Sequence, residues 1–92
     1  MIMVSVRFDS PGEASVAVKV LKKLKDYDRF ISGMTSPENP LAFQFSSETV
    51  NRILSAFRQA ARGRDFLGAN EEELLCLVEK FEEAAEVAGV YV

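Results

Sequence analysis

Residues 2–13 constrain the fold more tightly than any other stretch of the chain. Ile2, Val4, Val6 and Phe8 alternate with Met3, Ser5, Arg7 and Asp9. Period two in branched and aromatic residues predicts a strand with one buried face, and that face needs helices over it. Ser10-Pro11-Gly12-Glu13 follows at once. Ser10 suits a helix N-cap, Pro11 the first helical position, and Glu13 the carboxylate of a capping box. Ala14, Ala17, Val18, Leu21 and Leu24 then share one helical stripe, so a helix is expected from about Pro11 to Lys25.

Asp26-Tyr27-Asp28 reads as a turn and Arg29–Met34 as a modest strand around Phe30 and Ile31. Two prolines make Thr35–Pro40 a loop. Leu41, Phe43 and Phe45 alternate with Ala42, Gln44 and Ser46, which predicts a strand in a hairpin with the one before. Ser46 or Ser47 caps the next helix, whose stripe is Val50, Ile53, Leu54, Phe57 and Ala61 and whose stop is Gly63. Asn70 with Glu73 repeats the cap pattern for an acidic helix over about 71–88, with Leu74, Leu77, Val78, Phe81, Ala84, Ala85 and Ala88 facing inward. Val90–Val92 is either a short last strand or a frayed end. The expected order is β-α-β-β-α-α. This is an α+β class in one domain over 1–92, with a small antiparallel sheet covered on one face by helices.

A chain of 92 residues fits one small domain and buries roughly 60–65% of its unfolded surface. Hydrophobic residues at 48% and charged residues at 27% are ordinary for a globular protein. The sequence has no histidine, no tryptophan and one cysteine, Cys76. That excludes an internal disulfide, a Cys/His zinc site and a Ser-His-Asp triad, and no cofactor is expected. No apolar run approaches a membrane span, and Met1–Phe8 lacks the basic flank and long apolar stretch of a signal peptide. The expectation is a soluble cytoplasmic protein without membrane partners.

Charge divides unevenly along the chain. Residues 1–70 hold ten basic against seven acidic side chains, whereas 71–92 hold Lys80 against seven glutamates. Arg52, Arg58, Arg62 and Arg64 lie in or just after the second long helix, and Arg58 and Arg62 are one turn apart. Arginine forks suit carboxylate or phosphate partners, so Arg52, Arg58 and Arg62 are the candidate partner-binding residues. The same arginines could instead pair with the glutamate-rich helix inside the molecule. The Ser10-Pro11-Gly12 turn at a helix start is the candidate site for a small anionic ligand, although it lacks the glycines of a phosphate loop. Asp26 and Asp28 read as solvated turn residues rather than cation ligands. Leu75 and Cys76 fall off the apolar stripe and, if exposed, suit an oligomer contact. The sheet face carrying Met3, Ser5, Arg7, Ala42 and Gln44 is small and polar enough for another subunit to cover.

Two families share parts of this pattern. Phe8-Asp9-Ser10-Pro11-Gly12-Glu13-Ala14, together with Leu41–Phe45 and Thr49-Val50-Asn51-Arg52-Ile53-Leu54, resembles the small dimerisation subunit of the KEOPS complex for tRNA threonylcarbamoyl modification. The likeness covers roughly 2–62, and the acidic last helix departs from it. It implies a non-catalytic subunit that dimerises, docks an ATPase-like catalytic subunit and helps to hold tRNA. Asp9-Ser10-Pro11-Gly12 is also similar to the Asp-x-Pro-Gly turn of ACT-like regulatory domains, which implies an amino acid bound at Ser10, Pro11 and Gly12.

The sequence therefore leads to a non-enzymatic interaction or dimerisation subunit, because no competent nucleophile–base set is present and a small sheet leaves strand edges free. The alternative is an amino-acid sensor at Ser10–Gly12. A nucleic-acid accessory protein is the third reading.

Overall fold

A computed structural model of the chain describes residues 2–25, 28 and 42–90. It contains strand β1 (Met3–Arg7), helix α1 (Pro11–Leu21), strand β2 (Ala42–Ser46), helix α2 (Ser47–Arg62) and helix α3 (Glu71–Val87). The class is α+β, as the change of period at residue 10 predicts. The expected strand at Arg29–Met34, its hairpin loop, most of the Asp26–Asp28 turn and the end of the Val90–Val92 segment lie outside the described residues.

β1 and β2 pair antiparallel, with Val4 opposite Phe45 and Val6 opposite Phe43. That register puts the apolar residues of both strands on one face. Val4, Val6 and Phe45 are wholly buried, while Met3, Ser5 and Arg7 are exposed on the opposite face. Ala42 stands opposite Arg7 and so shares that face, as expected, but it is buried there.

All three helices bring their stripes into one core with these strand residues. α1 contributes Ala14, Ala17, Val20 and Leu21, α2 contributes Val50, Ile53, Leu54 and Phe57, and α3 contributes Leu74, Leu77, Val78, Phe81 and Ala85. Phe81 is the hinge of this packing. Its ring lies 5.8 Å from that of Phe45 and meets Phe57 edge-on at 5.6 Å.

Helix ends follow the expected caps with two corrections. α1 stops at Leu21 rather than Lys25, because the amides of Lys23 and Leu24 reach back only three residues and tighten the last turn. Ser10 Oγ does accept the Glu13 amide at 3.2 Å, but Glu13 does not complete the capping box; its carboxylate turns toward Lys80. α2 ends at Arg62 with Gly63 as its C-cap, as expected, and the left-handed residue is the next one, Arg64 (φ 56°). There Asp65 N–H bonds the Ala60 carbonyl and Arg64 N–H that of Ala61, the double closure that usually places a glycine at the Arg64 position. α3 ends in the same double closure with Gly89 in that role (φ 76°). Its start has the full Asn70/Glu73 capping box.

Candidate functional site

The hydrogen-bond phase of β1 decides which of its residues have backbone groups to offer. Ser47 N–H bonds the Ile2 carbonyl at 2.9 Å, so in this register the bonded pairs are Ile2–Ser47, Val4–Phe45 and Val6–Phe43. The amides and carbonyls of Met3, Ser5 and Arg7 therefore point away from β2. No backbone group among the described residues bonds them. β1 thus has an inner edge, paired with β2, and an outer edge that is open among those residues.

α3 runs beside this outer edge. Ser5 and Arg7 share with Lys80, Glu83, Ala84 and Val87 a groove of about 430 Å³. Val87 is 85% exposed, and Ile2 and Met3 at the start of the strand are also exposed. The groove sets the apolar Ala84 and Val87 beside two cations, Arg7 and Lys80, and two acids, Asp9 and Glu83.

Lys80 holds the end of the groove together. Its Nζ donates to Asp9 Oδ2 at 2.9 Å and lies 3.5 Å from Glu13 Oε1. One cation thus ties α3 to the end of β1 and the first turn of α1. The hydrogen bond to Asp9 raises the Lys80 pKa above its ordinary 10.5, and the charges of Glu13 and Asp9 add to the effect against an opposing cost of burial. Glu13 Oε1 is buried without a hydrogen bond, so this ion pair is its nearest compensation.

The three candidate arginines do not form one patch. Arg52 bonds Glu48 on its own helix at 2.7 Å, and Arg58 reaches Glu82 of α3 at 3.2 Å. Arg62 is exposed and makes no ion pair among the described residues. Arg64 approaches Glu71 at 4.0 Å. The pairing inside the molecule that the charge layout allowed is realised at Arg58, half-exposed between the two long helices.

Ser10, Pro11 and Gly12 are exposed at the start of α1. Ser10 Oγ is engaged with the Glu13 amide. A second groove of about 500 Å³ beside the turn is walled on its far side by Glu72, Glu73 and Cys76 of α3. Those acids favour a cationic group over a carboxylate in that groove. Leu75 and Cys76 are exposed on the same helix.

Sequence reasoning missed the Lys80 clasp and the outer edge of β1. A lone lysine inside a run of glutamates was the available signal for the first. The second has no sequence signal, because which edge of β1 is paired depends on where β2 lies in the fold. Among the described residues no helix is long and apolar enough to cross a membrane. No family model matches the chain, and no curated protein or solved structure matches it.

Proposed function

We propose that this chain is a non-enzymatic interaction subunit of a larger complex and that it receives its partner along the outer edge of β1. The observation that carries this reading is the row of backbone groups at Met3, Ser5 and Arg7, which bond no backbone group among the described residues and, at Ser5 and Arg7, border a groove. An open strand edge is a template for a further strand, and main-chain pairing supplies affinity there. The reading also accords with a sequence that has no histidine to serve as a base. The arginines of α2 act in this reading as a secondary surface, with Arg62 the most available of them.

The finer form of the proposal is an accessory subunit like that of the KEOPS complex, acting in the cytoplasm. It is supported by the likeness of Phe8–Ala14 and Thr49–Leu54. The experiment is affinity capture from the native host with wild type and Ser5→Pro, each also sized in solution. Proline removes the one donor at Ser5 that points outward and leaves the ladder to β2 intact. A stoichiometric protein partner with wild type that is lost with Ser5→Pro supports the reading, and an ATPase-like partner of a tRNA-modifying assembly supports its finer form. Equal capture by both proteins moves the interface elsewhere.

A further inference from the structure

We infer that the groove between α1 and β2 docks a short acidic segment of another protein, one that carries apolar side chains between its carboxylates. The groove holds about 800 Å³ and shares no lining residue with the one beside β1, so the inference stands apart from the reading of that edge. One face of α1, continued by the two lysines after it, forms the wall, and Phe43 of β2 lines the groove opposite. Pro11, Val18 and Phe43 make it apolar. Val18 is half-buried yet belongs neither to the core nor to the side chains packed against it. It is left for something laid in the groove.

The charge of the wall has one sign. Lys19, Lys22 and Lys23 are exposed in it, and no acid among the described residues lines it. None of the three lysines makes an ion pair among those residues, and the one acid of α1, Glu13, is committed to Lys80. Lys19 and Lys23 stand one turn apart, and their Cε atoms come within 3.5 and 3.6 Å of the point where a Cβ on Gly68 would stand. Like charges held side by side repel, and a carboxylate between them relieves the repulsion. Lysine stems over an apolar floor with ammonium groups at the rim match a partner built the same way with the opposite sign. A nucleic acid fits worse, because it needs a basic footprint wider than three lysines and the chain as a whole carries −3. A second copy offering its acidic α3 also fits worse. That contact is head-to-tail, leaves the same two surfaces free at the ends and does not close.

The test is an NMR titration of the whole chain with a capped peptide of glutamates interrupted by two leucines. One control has lysine for each glutamate, another alanine for each leucine. The expected result is saturable shifts at the amides of Val18, Lys19, Lys22, Lys23 and Phe43, with Ser5 and Arg7 unmoved. The glutamate–leucine peptide should bind at least about tenfold tighter than the lysine control, and this preference should shrink when salt is raised toward about 1 M. It should also bind more tightly than the alanine control. The triple substitution Lys19→Gln, Lys22→Gln and Lys23→Gln should abolish the charge preference while circular dichroism and the melting temperature stay as in wild type. Equal binding of the glutamate and lysine peptides overturns the inference. So does tighter binding of a short single-stranded oligonucleotide at the same amides, which would make phosphate the ligand. Shifts at those amides that grow as the protein alone is concentrated overturn it too, with a second copy as the occupant. Ser5→Pro should bind the peptide as wild type does, so this groove and the edge of β1 fail separately.

Discussion

Along one side of β1, Val4 and Val6 pair their amides and carbonyls with β2, the Ile2 carbonyl just before the strand accepts from Ser47 N–H, and Val4 and Val6 lie wholly in the core. Along the other, Met3, Ser5 and Arg7 turn the same groups away from β2, and Ser5 and Arg7 line a groove. The residues differ by one step in sequence. That step sets both the face of the side chain and the edge of the peptide groups, because side chains and hydrogen bonds alternate together in a paired strand. Stability is therefore concentrated in the even-numbered residues, and capacity for a partner in the odd-numbered ones.

The largest perturbation of this contrast comes from beneath the strand. Phe81→Ala removes the ring that joins Phe45 to Phe57 and should cost about 3–5 kcal/mol, read as a fall in the denaturant midpoint. It should also loosen α3 from the groove, so both edges suffer.

Proline substitutions separate the edges more cleanly. Val6→Pro orphans the Phe43 carbonyl and should cost about 1–3 kcal/mol for that group alone, with the lost packing of Val6 in addition. Ser5→Pro touches no bond to β2 and should cost within about 1 kcal/mol while it blocks the outer edge. Similar losses in the two variants would break the assignment of the pairing phase.

The Lys80 clasp predicts a pH dependence. Its pKa is raised in the folded chain, so its contribution is complete below about 10.5 and is lost as pH rises through the folded value. Thermal melts of wild type and Asp9→Asn should differ at neutral pH and converge in strong alkali. Smallest of all, Arg58→Ala removes a half-exposed pair with Glu82 and should shift stability by no more than about 1 kcal/mol. A loss of partner capture in that variant would return the arginine surface to the centre of the account.

Much of the fold was legible because periodicity records burial. The stripes through Val50, Ile53, Leu54 and Phe57 and through Leu74, Leu77, Val78 and Phe81 are buried as their spacing predicts. Local caps were legible too, as at Ser10, Ser46 and Asn70, since each acts within three residues. What escaped depends on contacts across the chain. Lys80 meets Asp9 at a separation of 71 residues, and Glu13 leaves its cap for that cation. Of the candidate residues, the arginines of α2 were correctly placed outside the core, but spacing alone did not reveal that Arg52 and Arg58 have partners within the molecule.

Amide hydrogen exchange of the dilute chain, resolved at residues 4–7, tests the central claim most directly. The account predicts slow exchange at Val4 and Val6, whose amides bond β2, and fast exchange at Ser5 and Arg7 until a partner strand is added. Equal protection of all four in the free dilute chain would mean that the outer edge is already paired, and would contradict it.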